Sequence, residues 1–322
     1  MEVGFFFWPF DPALVRRMAE AAERWGFDLI GVADTPGNAM DPWVAATMVS
    51  ERTVRARIAL CVTNLESRHP ASTAAAAASL DLLAPGRVIL GLGTGHSGTR
   101  NIGLGRTGMH DLASGAGFIR ALLRGEKASW RGGEAHLPWV ARPSPVFLSA
   151  SGPRALAVAA SHADGAFVNY GLRAENLART GAALPDTVET WQIAALDCHA
   201  DAAAARARVG AILAFMAAGY ILRGDLAGRG VPAELHGAVA ELRRRYSTRP
   251  GAADAALVDE LGLFDYLAAR FAIFGTPAQC LAQIEAARAA GLRRVMFTVS
   301  LAADPAGTVE LFGREVLPAL RG

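Results

Sequence analysis

The chain contains few cysteines, little net charge and no apolar stretch long enough to cross a bilayer. Its 322 residues include three cysteines, and the formal net charge at pH 7 is +2. The longest apolar helical stretch, Gly210 to Leu222, is too short to span a membrane. The charges are scattered, and no basic stripe with interleaved aromatic residues is present. The sequence therefore predicts neither a membrane nor a nucleic-acid partner.

The N-terminal segment and the cysteines both favour a cytoplasmic protein. MEVGFFFWPFDP has no basic segment before its apolar residues and no small-residue cleavage site, so we do not expect a signal peptide. Cys61, Cys198 and Cys280 lie in apolar surroundings without metal-ligand spacing, which is typical of buried, reduced thiols. The sequence also has no serine in a nucleophile elbow and no catalytic cysteine–histidine spacing. We predict no metal site.

Strand and helix patterns alternate along almost the whole chain. The eight predicted strands are Val3–Trp8, Leu29–Ala33, Ile58–Val62, Val88–Leu92, Val146–Ser149, Gly165–Asn169, Val188–Leu196 and Arg294–Val299. Such alternation implies a parallel sheet, and eight units in this length favour a closed barrel over an open doubly wound sheet. Between about residues 200 and 271 the pattern is helical instead. The predicted fold is α/β: an eight-stranded parallel (β/α)8 TIM barrel, one domain over 1–322, with a helical insertion at about 200–271 before the last strand.

Catalysis in a parallel barrel takes place at the rim formed by the carboxyl ends of the strands. The residues expected there are aromatic, hydroxylic and amide side chains, with one clear acid, Asp34, and two histidines, His69 and His96. Such a rim fits a large, partly apolar cofactor that carries out the chemistry itself. At 149–153 a strand ends and a helix starts, where free N–H groups and the helix dipole bind phosphate well. A helix start without a ligand is the other interpretation.

Two further rim features concern glycines and aromatic residues. Residues 93–108 are rich in glycine and too long for an ordinary connection, which indicates a functional loop. Gly91-Leu92-Gly93-Thr94-Gly95 matches a dinucleotide fingerprint only loosely, and its glycines favour close approach of the backbone to a flat ring. Trp8 and Phe10, after the first strand, and Thr35, after the second, are expected to line a substrate pocket.

Four ordered blocks of sequence resemble the luciferase-like monooxygenase superfamily of flavin and deazaflavin oxidoreductases. The blocks are FDLIGVAD at 27–34, CVTNLESRHPASTAAAAASLDLLAPGRVILGLGTG at 61–95, PVFLSASGPRALAVAASHADGAFVN at 145–169 and FGTPAQCLAQIEAARAAGLRRVMFTV at 274–299. The pattern is most similar to the branch that contains methylenetetrahydromethanopterin reductase. The resemblance implies an α/β barrel that forms a homodimer or homotetramer. It also implies FMN, or the deazaflavin coenzyme F420, bound at the rim.

The resemblance assigns residues to the cofactor. It implies a non-proline cis peptide bond between Cys61 and Val62, at the end of the third strand, and a phosphate site at Ser151 and Gly152. The positions that match residues near the ring or its side chain are Asp34, Asn64, Thr94 and Gly95.

Two positions depart from the pattern of many deazaflavin-dependent members. Those proteins have a histidine after the acid of the second strand, where this chain has Thr35, and an acid after the fourth strand, where it has His96. A family acid–base role cannot be transferred unchanged. His96, Asp34 and His69 are the candidate catalytic residues, because a histidine or a tuned carboxylate exchanges protons near neutral pH.

Three functions are compatible with these observations. The favoured hypothesis is a monooxygenase that uses reduced FMN, supplied by a separate flavin reductase, and O2 to oxidise a small organic substrate. The alternative is an F420-dependent reductase or dehydrogenase that transfers hydride without oxygen. The departures at Thr35 and His96 weigh toward FMN. The third is a non-catalytic flavin-binding relative.

Overall fold

The computed structural model describes residues 1–217, 224–247 and 256–321. The strands are β1 (Glu2–Phe7), β2 (Leu29–Val32), β3 (Arg57–Thr63), β4 (Val88–Leu92), β5 (Ala128–Trp130), β6 (Gly133–Ala135), β7 (Val146–Ala150), β8 (Gly165–Val168), β9 (Glu189–Cys198), β10 (Ala272–Gly275) and β11 (Arg294–Thr298). The α-helices are α1 (Pro12–Trp25), α2 (Pro42–Ser50), α3 (Pro70–Leu83), α4 (Ser97–Arg100), α5 (Met109–Leu123), α6 (Pro153–His162), α7 (Ala174–Ala183), α8 (Ala202–Met216), α9 (His236–Arg245), α10 (Leu257–Glu260), α11 (Phe264–Phe271), α12 (Pro277–Ala289), α13 (Pro305–Glu315) and α14 (Leu317–Arg321).

Eight parallel strands close into a ring with alternating helices, so the predicted TIM barrel is confirmed. The strand order is β10-β9-β11-β1-β2-β3-β4-β7-β8, and a pairing of β9 with β8 closes the ring. β10 lies outside the ring, where Ala272 to Gly275 pair in parallel with Ala195 to Cys198 of β9. The sequence analysis missed this strand.

Prolines and side-chain caps determine where the helices begin. The side chain of Asp11 accepts a hydrogen bond from the Leu14 N–H (2.8 Å), and α1 follows with proline in its first turn. The helix ends at Gly26, whose φ of 75° is the left-handed conformation that glycine adopts most easily. Thr276 and Gln279 form a reciprocal capping box at the start of α12. These local signals determine where α1 and α12 begin.

Within the described residues the chain forms two compact units, which are considered separately. The first contains Met1–Phe7, Val168–Ala182 and Trp191–Gly322, and the second contains Trp8–Phe167 and Ala183–Thr190. In the second unit, β2, β3 and β4 pair in parallel, with a register shift between Leu60 and Thr63, and their apolar residues except Val62 are buried. The assignment of 1–322 to one domain stays a prediction.

In the first unit, β10 packs against α8 and α11 of the predicted insertion and against α12, which carries Gln283. The Gln283 side chain donates from Nε2 to the Phe274 carbonyl (2.6 Å), and its Oε1 accepts from the Phe274 N–H (3.2 Å). The described parts of the insertion, α8 to α11, are helical as predicted. Residues 218–223 and 248–255 of that insertion lie outside the described residues. Among the helices that are described, none is both long and apolar enough to cross a membrane.

Candidate active site

The candidate site lies in the second unit, in the segments at and after the carboxyl ends of β1 to β4 and β7. The predicted site residues that this unit contains are Trp8, Phe10, Asp34, Thr35, Cys61, Val62, Asn64, His69, Thr94, Gly95, His96, Ser151 and Gly152. Carboxyl ends of parallel strands share one edge of a sheet, which is where such barrels bind their ligands. Their roles in binding and catalysis stay predictions.

Asp34 is a half-buried acid held by a neighbouring strand. The Thr63 hydroxyl, at the end of β3, donates to Asp34 Oδ2 at 2.6 Å. Burial raises the pKa of Asp34, whereas the hydrogen bond from Thr63 lowers it; Asp41 adds to the rise and Arg68 opposes it. Asp34 therefore retains a proton to higher pH than an exposed aspartate, which suits an acid–base group.

The end of β3 carries the cis peptide bond that the resemblance implied, between Cys61 and Val62. Val62 packs toward β4, since a Cβ on Gly93 would lie 2.7 Å from Val62 Cγ2, and one on Gly91 would also meet Val62. These glycines therefore accommodate the Val62 side chain, a role that the sequence pattern did not reveal. Burial raises the pKa of the Cys61 thiol, which consequently stays protonated at neutral pH.

A short helix, α4, interrupts the glycine-rich loop after β4. A Cβ on Gly98 would lie 2.5 Å from the Asp34 carbonyl oxygen, so α4 packs directly on the end of β2. His96 precedes α4 and is buried. The Asn101 amide donates to Asn38 Oδ1 (2.9 Å), which joins the loops after β2 and β4. His96 therefore lies in a packed loop, near Gly98 in the sequence, and Gly98 packs against the Asp34 carbonyl.

Arg106 is a site residue that the sequence analysis missed. Its guanidinium donates to the Thr94 hydroxyl (2.7 Å) and to the Gly95 carbonyl (2.8 Å). It is exposed, and no motif relates it to these positions. Its cation therefore lies beside two residues that the resemblance assigns to the cofactor.

Asn64 and His69 shape the loop after β3. Asn64 Oδ1 accepts from the N–H groups of Glu66 and Ser67, both at 2.9 Å, which forms a tight polar turn. His69 is exposed, and its Nδ1 accepts from the Ala71 N–H (3.2 Å) as the N-cap of α3. The structure therefore gives both residues a local role in folding the loop.

The predicted pocket residues differ in exposure. Trp8 is buried and meets Phe10 edge-to-face, with ring centroids 5.9 Å apart, whereas Phe10 is 40% exposed. The Thr35 hydroxyl is buried and has no hydrogen-bond partner among the described residues. An unsatisfied buried hydroxyl destabilises the fold unless something bonds to it, so a contact of Thr35 with a ligand stays a prediction.

The start of α6 lacks a side-chain cap. Gly152 is the N-cap, with φ −175°, and no side chain bonds to the first turn. Asp11 and Thr276, in contrast, cap the starts of α1 and α12. Uncapped N–H groups and the positive end of the helix dipole remain available to an anion at this terminus.

Comparison with known proteins decides the family. The profile of the family described as luciferase-like monooxygenase matches residues 6–294. The chain belongs to the luciferase-like monooxygenase family. This luciferase-like protein is therefore an oxidoreductase, and the resemblance found in its sequence is confirmed.

Three relatives illustrate the similarity. The luciferase-like protein is 27% identical over 338 residues to 5,10-methylenetetrahydromethanopterin reductase from Methanolobus tindarius, covering 98% of this chain and 100% of that protein. It is 34% identical over 166 residues to F420-dependent hydroxymycolic acid dehydrogenase from Mycobacterium tuberculosis, covering 46% of each. The structure of coenzyme F420-dependent tetrahydromethanopterin reductase from Methanopyrus kandleri matches with a TM-score of 0.73 at 21% identity, covering 99% of each chain.

Proposed function

We propose that this luciferase-like oxidoreductase transfers hydride between a small organic substrate and the deazaflavin coenzyme F420. The observation that carries the proposal is the similarity to a methylenetetrahydromethanopterin reductase over 98% of the chain. The dehydrogenase that is 34% identical over half the chain is named as F420-dependent. These relatives support the deazaflavin alternative more strongly than the FMN-dependent monooxygenase that the sequence pattern favoured.

The residues of the second unit fit such a cofactor. The uncapped start of α6 at Gly152 offers N–H donors to a phosphate. The buried Thr35 hydroxyl has a hydrogen-bonding capacity that no described residue uses. Val62 is a partly exposed apolar residue at the end of β3. When bound, the deazaflavin supplies the hydride chemistry.

The chain itself contributes a proton site. Oxidation of an alcohol by hydride transfer also releases the hydroxyl proton, and a carboxylate within reach accepts it. Asp34 has one oxygen bonded to Thr63 and a pKa raised by burial. In the reverse direction the protonated Asp34 returns the proton. The packing of α4 against the Asp34 main-chain carbonyl holds the backbone that carries this acid.

The second candidate is the FMN-dependent monooxygenase, served by a separate flavin reductase. The observation that favours it is His96, which stands where many deazaflavin-dependent members have an acid. In that function the same α6 terminus would hold the FMN phosphate. A dry pocket would protect the oxidising flavin from water.

A binding titration distinguishes the candidates. We expect purified protein to bind F420 at micromolar concentration, detected by the change in deazaflavin fluorescence, and to bind reduced FMN without oxygen more weakly. Tight binding of reduced FMN alone would contradict the proposal and support the monooxygenase. If neither cofactor binds, both catalytic proposals are wrong. Binding of F420 without reduction by any of a panel of alcohols, aldehydes and imines would favour the non-catalytic relative.

A further inference from the structure

Thr63 stands between the core of the second unit and the candidate acid. We propose that Thr63 is a positioning residue for Asp34: its hydroxyl binds Oδ2 of the carboxylate and thereby directs Oδ1 toward the substrate proton. The inference rests on the proposed hydride transfer. It assigns a role to a residue for which neither the sequence motifs nor the family comparison provides one.

The geometry makes the Thr63 contact directional. Thr63 is 1% exposed, so its side chain has a fixed position at the end of β3. Its hydroxyl donates to Asp34 Oδ2 at 2.6 Å, which is short and typical of a donor to a charged carboxylate. Among the described residues no hydrogen bond reaches Oδ1, and Asp34 is only partly buried. One oxygen is therefore anchored while the other remains available.

The remaining contacts of Asp34 do not replace this anchor. Gly98 packs on its main-chain carbonyl, which fixes the backbone but not the carboxylate. The charged groups that act on the carboxylate are Asp41, which disfavours ionisation, and Arg68, which favours it. Arg68 is itself paired with Asp41 at 3.0 Å, so the two charges largely offset each other. Thr63 is consequently the main group that favours the ionised, oriented form of Asp34.

The proposed step is balanced for an alcohol substrate. The C–H bond breaks, and the hydride leaves with its electron pair for the oxidised deazaflavin. The O–H bond breaks, and its proton passes to Asp34 Oδ1, while the carbon–oxygen double bond forms. The substrate is oxidised and the cofactor is reduced by two electrons. Asp34 must be ionised at the start, and the Thr63 hydrogen bond favours that form.

The test compares Thr63→Val with Thr63→Ser. Valine keeps the shape of threonine but removes the donor, so the acid limb of kcat/KM should move to higher pH. We expect about a tenfold lower kcat/KM on the acid limb, and nearly full recovery at alkaline pH, because a hydrogen bond to a charged group has about this strength. Thr63→Ser keeps the donor and should retain the wild-type profile. A residue that is important only for folding would lower activity equally at every pH.

A matched control comes from a second buried threonine of the same unit. Thr73, on α3, is fully buried and its hydroxyl has no partner among the described residues. Thr73→Val removes a hydroxyl without removing a bond to Asp34, so the acid limb should stay in place. An unchanged acid limb in Thr63→Val, or an equal shift in Thr73→Val, would overturn the proposal.

A direct measurement separates this inference from the proposed function. The carboxyl carbon of Asp34 can be titrated by NMR in the protein alone, with its signal assigned by its loss in Asp34→Asn. We expect Thr63→Val to raise the pKa of Asp34 and Thr63→Ser to leave it near the wild-type value. If that rise occurs but F420 is not reduced, the hydride-transfer function is wrong and the anchoring is upheld. If the pKa of Asp34 does not rise, the anchoring itself is wrong.

Discussion

Asp34 and Asp197 are both aspartates with a raised pKa, but they differ in exposure and in the group that they contact. In both residues burial raises the pKa of the carboxyl group. Asp34 is partly exposed at a strand end and contacts a hydroxyl, which suits proton exchange. Asp197 is completely buried in β9 and is paired with Arg208 of α8 (3.1 Å). This pair joins α8 to β9, and the complete burial of Asp197 indicates a structural role rather than a catalytic one.

The buried carboxyl group of Asp197 should make the stability of the protein depend on pH. Burial raises the pKa of Asp197 from 3.8 to about 6, against the opposing charges of Arg208 and His199. Between these two values the folded state binds more protons than the unfolded state. Stability from this group is therefore present at low pH and lost as the pH rises toward 6. Asp197→Asn lacks this dependence, so its stability relative to wild type should rise by about 2 kcal/mol between pH 4.5 and pH 7.

Urea unfolding of both proteins across that pH range measures the difference. Asp186→Asn, at an exposed position, is the control and should follow the wild type at each pH. If the stabilities of wild type and Asp197→Asn stay parallel from pH 4.5 to pH 7, Asp197 does not hold its proton as inferred.

The residue contacts were the least predictable from sequence. The acid at position 34 was identified as a candidate because it follows a strand, but its partner Thr63 is 29 residues away. Only the parallel register of β2 and β3, Leu29 with Arg57 through Val32 with Leu60, brings the two strand ends together. A pattern of apolar residues predicts that two strands exist and does not specify which side chains meet beyond their ends.

At the scale of elements, the start of α6 is the feature with a direct test. Ser151→Asp places a negative charge beside the uncapped N–H groups, where it competes with a phosphate and repels it. We expect F420 affinity to fall by about tenfold or more, since a charge-assisted contact is lost. Fluorescence titration provides the measurement, and circular dichroism checks that the helix persists.

The opposite end of α6 provides the control for this variant. Ser161→Asp adds the same charge near the carboxyl end of the helix, at an exposed position. It should leave F420 affinity close to that of the wild type. Equal affinities of Ser151→Asp and wild type would exclude this terminus as the phosphate site.

Elements with strong local signals were predicted well, and elements without them were not. A capping side chain followed by proline marks the starts of α1 and α12 in the sequence itself. β10 was missed because α11 and β10 form one continuous apolar segment, in which the change from helix to strand leaves no mark. The helix α4 was not expected, because glycine-rich segments such as residues 93–108 usually form loops. The C-terminal segment forms two helices, α13 and α14, with Val316 between them.

At the scale of the whole molecule, the association expected from the family remains to be measured. Exposed apolar side chains on neighbouring helices offer a surface: Val44 on α2 is 54% exposed, and Leu82 and Leu83 at the end of α3 are 53% and 58% exposed. We predict that the 33.7 kDa chain sediments as a homodimer or homotetramer. Leu83→Glu should shift the population toward the monomer, because a charge disfavours burial in an apolar interface.

Sedimentation equilibrium at several protein concentrations tests this prediction. Trp139→Glu, at an apolar residue that is 45% exposed in the loop before β7, is the control and should not change the mass. A monomeric wild type at all concentrations would show that the association expected from the family does not apply to this chain.

The barrel itself was the most predictable feature, because eight alternating strand and helix units leave few topologies available. The strand outside the ring, β10, differs from the ring strands in its exposed edge. A closed ring has no open edge, whereas β10 presents its outer backbone groups to any extended peptide that approaches. The Gln283 amide occupies both the N–H and the carbonyl of Phe274, as a neighbouring strand would. This one side chain therefore satisfies the backbone of Phe274, and a shorter residue at position 283 would leave both groups open to pairing with another strand.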